Sequence, residues 1–311
     1  MVKDLRPTID ANTVAQILEG CIGEQPLEVS RVSSGLISAT FECIAVAGPL
    51  IVQFNEPDMA MGVIVERRFE ERLKNAGVPL REVICDGVHE GLKWTVTKKM
   101  PGESMTSLEA EDYMAALPSV FDALIAISTV DVTDTSGFGW FDENGQGIWE
   151  TWQAHLSFVQ EEEPEGMFYG SWHSLFDTTF LERDRFQEYA SEMVRLSEGL
   201  SVPRHLVHGG FGYDNVLVEN GSMSAVLDWQ DARFGDSLLD LAYMDFWPSG
   251  FDLIDRFESH CRARGLHHDN YRGRVKCYKY YIGLDAMRFF AKTDNQGAYD
   301  QVVRIVEELR N

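Results

Sequence analysis

Apolar and polar residues alternate along much of the first hundred positions of this chain, the period-two pattern of half-buried strands. The alternation covers Leu27 to Val32, Ala39 to Val46, Pro49 to Phe54, Arg81 to Gly87 and Lys93 to Met100. Elsewhere apolar positions recur every three or four residues, which gathers them on one side of a helix. That spacing predicts a short helix over Thr13 to Leu18 and a longer one over Met61 to Ala76, where Val63, Phe69 and Leu73 trace the stripe. Pro101-Gly102 stops the sheet, and the helical period then takes over. Met114, Leu117, Val120, Leu124 and Ile127 mark a helix from Leu108 to Ser128, and Phe186, Tyr189, Met193 and Leu196 mark one from Arg183 to Leu200. Thr135 to Phe141 reads as a break, with a helix opening at Trp149 and reaching toward Phe158. Phe251 to Arg262, Tyr271 to Phe290 and Ala298 to Leu309 complete the chain as helices. Strands first and helices afterwards predict an α+β protein. Its N-terminal lobe, residues 1–102, would hold a small antiparallel sheet and one main helix; its larger, mostly helical lobe would span 103–311.

One stretch interrupts the helical half. Arg204-His205-Leu206-Val207 leads into His208-Gly209-Gly210-Phe211-Gly212, too glycine-rich for the interior of a helix or strand. Val216-Leu217-Val218 and Ala225-Val226-Leu227 then flank Asn220-Gly221, the strongest two-residue hairpin signal. Loop, strand, turn and strand bring Asn215 and Asp228 toward the same end of a two-stranded ribbon. An amide oxygen beside a carboxylate makes a pair of hard oxygen ligands, suited to Mg²⁺ held against substrate phosphates. The alternative for the same residues is a surface hairpin whose Asn and Asp fill turn positions.

Composition narrows the partners. With 311 residues, 44% hydrophobic and 25% charged, the chain can bury a core without staples. Its five cysteines, Cys21, Cys43, Cys85, Cys261 and Cys277, are scattered and form no Cys-x-x-Cys pair. They are expected as buried thiols in a reducing compartment, with neither a disulfide framework nor a zinc site. The N-terminus lacks the apolar core of a secretory signal, and no run of ~18 apolar residues occurs, so the expected location is the cytoplasm, away from membranes. A formal net charge of −23 argues against nucleic acid, whose phosphates demand a basic face. It suits a cationic small molecule, because carboxylate-lined clefts concentrate amines; it equally serves solubility. Gln160-Glu161-Glu162-Glu163-Pro164-Glu165 is either a solvated loop or one wall of such a cleft.

The joint register of His208, Asn215 and Asp228-Trp229 resembles the signature of the aminoglycoside phosphotransferase family, H-[GA]-D-x-x-x-x-N followed by a hairpin and [IL]-D-W. Ser136-Gly137-Phe138-Gly139 with the tryptophan-rich segment after it, Phe234-Gly235-Asp236-Ser237 and Tyr281-Ile282-Gly283-Leu284-Asp285 are similar to the hygromycin-modifying branch of that family. The resemblance implies a bilobal, protein-kinase-like fold. It also implies transfer of a γ-phosphate from ATP or GTP, with Mg²⁺, to a hydroxyl of a cationic, aminoglycoside-like acceptor. Asn215 and Asp228 would be the metal ligands, His208 a member of the catalytic loop, and Asp240 a carboxylate bracing that loop through backbone hydrogen bonds. For the nucleotide, the resemblance implies Ser34-Gly35 over the phosphates, the Gln53 position as a phosphate contact, Glu66 as the helix glutamate paired with it, and Lys98 to Met100 as the hinge that binds the base.

Two positions depart from the signature. Gly210 stands where the family carries its catalytic aspartate, with Asp214 as a candidate surrogate. Gln53 stands where the family has Lys or Arg, so Glu66 is expected without its usual partner. Three readings follow: a phosphotransferase whose aspartate has been replaced by glycine, a pseudokinase serving as a nucleotide- or ligand-binding module, or a phosphotransferase with displaced catalytic groups and a different acceptor.

Overall fold

The computed structural model describes residues 6–33, 37–57, 61–165, 167–247 and 250–310. Asp10 caps the first helix, α1 (Ala11–Ile22), by accepting the Thr13 N–H at 2.8 Å, and left-handed Gly23 ends it. The strands β1 (Glu28–Arg31), β2 (Ala39–Ala45) and β3 (Gly48–Asn55) follow, then helix α2 (Met61–Asn75) and strands β4 (Val83–His89) and β5 (Leu92–Lys98). They form an antiparallel sheet in the order β1-β2-β3-β5-β4. Along β2 every second residue is buried, and Phe41, Cys43, Val52, Phe54 and Val96 make a small core with Val14 and Leu18 of α1.

Helix α2 belongs to both lobes. Its Val65, Phe69 and Leu73 are buried in the large C-terminal core, where Phe69 meets Phe141 and Phe234 at ring distances of 5.8 and 6.0 Å. At its start the Gly62 N–H donates to Gln230 Oε1 at 3.2 Å. The turn just past Asp228 is therefore tied to the helix that carries Glu66.

Gly102, at φ 95°, turns the chain out of the first sheet; a Cβ there would collide with the Val218 carbonyl. Strand β6 (Glu103–Ser104), helix α3 (Ala110–Ser128), strands β7 (Phe138–Phe141) and β8 (Gly147–Trp149), helices α4 (Trp152–Ser157), α5 (Leu175–Thr178) and α6 (Arg183–Ser197) and strand β9 (His205–Val207) follow. Strands β10 (Val216–Glu219), β11 (Ser222–Val226) and β12 (Arg233–Gly235) and helices α7 (Leu238–Phe246), α8 (Leu253–Ala263), α9 (Tyr271–Lys292) and α10 (Gln296–Glu308) complete it. β6 pairs with β10 of the hairpin, so the inter-lobe crossing is hydrogen-bonded to the ribbon. No helix among the described residues is long and apolar enough to cross a membrane.

Two expectations are corrected. The segment read as a break contains β7, which pairs with both β8 and β12, and Trp149 ends β8, so α4 starts only at Trp152. These strands are too short for alternation to register, and left-handed Gly137 and Gly139 mask them. Cys21 and Cys85 are not free buried thiols: they are joined as a disulfide between α1 and β4, with Cα atoms 6.3 Å apart. Only Cys43, Cys261 and Cys277 are buried and free.

Candidate functional site

β9 delivers the chain to the glycine-rich loop, and the loop is fixed from below by α7. Asp240, 2% exposed, accepts the backbone N–H groups of His208 and Gly209, both at 2.8 Å. Burial pushes its pKa up to about 7 against those two bonds, which favour the carboxylate. His208 is fully buried. Its Nε2 lies 2.8 Å from the Leu227 carbonyl and must donate to it, which leaves Nδ1 to accept the Gly210 N–H at 3.3 Å. Burial pushes the imidazole pKa down to about 4, so it is neutral at ordinary pH. His208 thus clasps the strand end immediately before Asp228.

The hairpin turns at Asn220 and Gly221, φ 52° and 73°, the left-handed pair that a two-residue turn matching strand twist requires. Val216 faces Val226 across it, and the Leu227 N–H donates to the Asn215 carbonyl at 2.8 Å. Asn215 and Asp228 therefore lie at one end of the ribbon. Asn215 gives its Nδ2 to the Gly210 carbonyl at 2.9 Å, which leaves Oδ1 for a ligand. Asp228 adopts φ 60° and is accessible to solvent, yet desolvation by the surrounding protein raises its pKa; nearby Arg81 lowers it and Asp214 raises it. Its side chain is thus open to solvent while protein crowds it from behind.

Glu66, 3% exposed, lacks a cation at position 53 and is paired from another segment instead. Arg81, from the segment entering β4, donates Nε to both Glu66 carboxylate oxygens at 3.0 Å and Nη1 to Gln53 Oε1 at 3.1 Å. Burial raises the Glu66 pKa, Arg81 opposes that rise, and the charge of Asp228 adds to it. The Gln53–Arg81–Glu66 group and the Asn215–Asp228 pair thus lie within electrostatic reach of each other.

At Gly210 the backbone is not left-handed, and an added Cβ would touch nothing nearer than Asp231 Oδ2 at 3.7 Å and Asn215 Nδ2 at 4.0 Å. A Cβ is accommodated there without a clash. Gly209 differs: at φ 82° its Cβ would run into the Asp231 carbonyl. Asp214 is exposed in the turn before β10, and no atom of it comes nearer than 4.0 Å to the Gly210 Cβ position. Lys98 is exposed and paired with Glu82 at 2.6 Å, and Met100 is half-buried in the crossing. Ser34 and Gly35 lie outside the described residues. The acidic stretch at 160–165 is largely loop, with Glu161, Glu162 and Glu165 exposed. A separate groove of about 490 Å³ between α3 and α8, lined by Met114, Phe121, Asp252 and His260 among others, shares no residue with this constellation.

Sequence reasoning missed two residues. Arg81 was absorbed into a predicted strand, and nothing in its spacing links it to Glu66. Asp231, three positions past Asp228, carries a side chain 57% exposed, with Oδ1 3.7 Å from Nη2 of the buried Arg233. The Asp-Trp-Gln-Asp repeat of acids is its one visible signal.

The sequence model of the phosphotransferase enzyme family matches residues 28–276. Hygromycin-B 4-O-kinase of Escherichia coli is 29% identical over 255 residues, covering 79% of this chain and 72% of that protein. Among solved structures, a thermostable mutant of aminoglycoside phosphotransferase APH(4)-Ia, in ternary complex with AMP-PNP and hygromycin B, superposes with a TM-score of 0.80 at 24% identity, covering 96% of this chain and 97% of that one. Spectinomycin phosphotransferase APH(9)-Ia, in complex with ADP and spectinomycin, gives 0.69 at 10% identity, covering 98% and 99%.

Proposed function

The chain belongs to the aminoglycoside phosphotransferase family, and from that premise we propose that it transfers the γ-phosphate of ATP or GTP to a hydroxyl of a cationic, aminoglycoside-like small molecule. The observation that carries this reading is the end of the hairpin, where Asn215 Oδ1 and the accessible Asp228 carboxylate are left to a ligand while Asp240, His208 and the Asn215 amide bind the backbone groups of His208, Gly209, Gly210 and Leu227 behind them. One carboxylate and one amide oxygen fit Mg²⁺, which completes its shell with water and phosphate oxygens. When bound, the ion would neutralise phosphate charge. The chain's own residues then hold and orient. Asp240 and neutral His208 keep the loop and the Asp228 strand end rigid, and Gln53 and Glu66 line the phosphate side. Lys98 to Met100 serve the base through the backbone, and residues 1–102 and 103–311 act as the two walls of the cleft. Asp214, near Asp228 and exposed, is a surrogate proton acceptor on this reading or a further anion beside the metal.

The test is incubation of the chain and of Gly210→Asp with hygromycin B, Mg²⁺ and ATP or GTP, followed by mass spectrometry of the antibiotic. A gain of ~10²–10⁴-fold in the variant identifies Gly210 as an emptied base position on a working scaffold. Gly210 also favours a second reading, a pseudokinase that binds nucleotide without transfer. Nucleotide binding with no phosphorylated product from either protein would select it.

A further inference from the structure

Both departures from the family signature have a charged side chain from elsewhere in the fold beside them, Arg81 at Gln53 and Asp231 at Gly210. We propose that Arg81 is the cation that contacts nucleoside-triphosphate phosphates in this chain, taking over the charge missing at Gln53. Its side chain is 11% exposed, and the guanidinium is pinned by Glu66 and Gln53, which occupy Nε–H and one Nη1–H. A guanidinium has five N–H donors, and among the described residues no hydrogen bond engages the other three. A fork fixed on one edge with donors left over on the other suits phosphate oxygens. Its charge reaches Asp228, beside which phosphates bridged to a metal would lie. Gln53 turns its oxygen to Arg81 and keeps its amide N–H₂ for an anion.

This rests on the phosphotransferase reading only so far as triphosphate binding, so calorimetry with MgATP, MgGTP and adenosine tests it without turnover. Arg81→Met is expected to weaken triphosphate binding about tenfold or more while leaving adenosine binding unchanged. Arg81→Met with Gln53→Lys is expected to recover most of the loss. Because removing Arg81 strands the buried Glu66, Arg81→Met with Glu66→Gln is measured alongside and should show the same selective loss. Equal triphosphate affinity in the wild type and in both Arg81→Met variants lacking a replacement cation overturns the proposal and reduces Arg81 to a structural partner of Glu66. Failure of the wild type to bind either triphosphate overturns it together with the phosphotransferase reading.

A different observation carries a second assignment. We infer that the Asp231 carboxylate accepts the proton of the acceptor hydroxyl, in place of the aspartate that Gly210 lacks. Asp231 Oδ2 stands 3.7 Å from where a Cβ at 210 would sit, and its side chain is open to solvent. It is anchored by its own carbonyl, which accepts Arg233 Nε–H at 2.8 Å, while Arg233 is held by the Tyr281 hydroxyl at 2.8 Å. In the step, the acceptor O–H bond breaks and its proton passes to the Asp231 carboxylate. The oxygen bonds to the γ-phosphorus as the bond from that phosphorus to the bridging oxygen breaks, and the nucleoside diphosphate leaves with that electron pair.

Turnover with hygromycin B, together with MgATP affinity and thermal melting, is compared for the wild type, Asp231→Asn, Gly210→Asp and the double variant. Asp231→Asn is expected to lower kcat by ~10² or more with MgATP affinity unchanged, and Gly210→Asp is expected to rescue it in the double variant. Unchanged kcat in Asp231→Asn overturns the assignment, and so does a lowered melting point with kcat intact. An inactive wild type beside an active Gly210→Asp also overturns it while leaving the phosphotransferase reading standing. Inactivity of all four proteins removes both.

Discussion

His208 is held between the glycine loop and the hairpin, giving Nε2–H to the Leu227 carbonyl and accepting at Nδ1. Its folded pKa of about 4 lies below the ordinary histidine value. Above pH ~6.5 neither state carries the proton, and below it the unfolded chain takes one that the folded chain refuses. Its contribution to stability is therefore present above the unfolded pKa and lost as pH falls toward 4. Asp240, raised to about 7, works in the opposite sense, because the folded carboxyl is protonated before the unfolded one. A substitution separates them. Urea denaturation of wild type and His208→Gln at about pH 7.5 and about pH 5 should find the variant gaining about 2 kcal/mol relative to wild type at the lower pH; an unchanged difference would sink the assignment. Asp240→Asn replaces one N–H acceptor with an amide that cannot accept both bonds, and should cost about 2–3 kcal/mol in the same assay at neutral pH. At this scale the placement of His208, Asn215, Asp228 and Asp240 around one loop end was legible, because they lie within one loop, one hairpin and one helix start. Arg81 was not, since its link to Glu66 and Gln53 exists only once β3, α2 and the entry to β4 are folded together.

Elements were legible where their period was long enough to register. β2 and β3 each hold several alternations against a buried face, and helices α3, α6, α8, α9 and α10 each run three or more turns. β7 and β8 have four and three residues, and the partner of β7 in β12 comes some hundred positions later, so no local pattern encodes them. The stripe on α2 was visible, but not that it packs into the C-terminal core and leaves Glu66 to the sheet side. The same non-locality hides the disulfide, whose cysteines are 64 residues apart. Closing a loop of that length stabilises the folded state by about 4 kcal/mol in the chain-entropy account. Non-reducing peptide mapping should recover a Cys21–Cys85 linked pair, and reduction should lower the urea midpoint accordingly; two free thiols at these positions in the folded protein would refute the link. In the hairpin, Gly221→Ala meets only Ala115 Cβ at 3.7 Å, so its cost comes from the left-handed φ of 73° and should be about 1–2 kcal/mol.

Across the whole molecule, 50 acidic residues face 27 lysines and arginines, and around the hairpin end Asp214, Asp228 and Asp231 outnumber the neighbouring guanidinium groups of Arg81 and Arg233. The two substrates proposed for this site carry opposite charges, so the field of the protein acts on them with opposite sign. A cationic acceptor is drawn in from beyond contact distance, whereas a nucleoside triphosphate approaches against the field and relies on Arg81 and the metal at short range. Added salt shortens the reach of that field, from about 20 Å near 20 mM to about 6 Å near 300 mM. Calorimetric titration over that range should therefore weaken hygromycin B binding by roughly three- to tenfold while MgATP binding, at saturating Mg²⁺, stays level or tightens. Parallel weakening of both ligands would mean that salt acts on the fold or on the contacts themselves. In that case the acidic surface would serve solubility alone and the cleft would owe its selectivity to local groups.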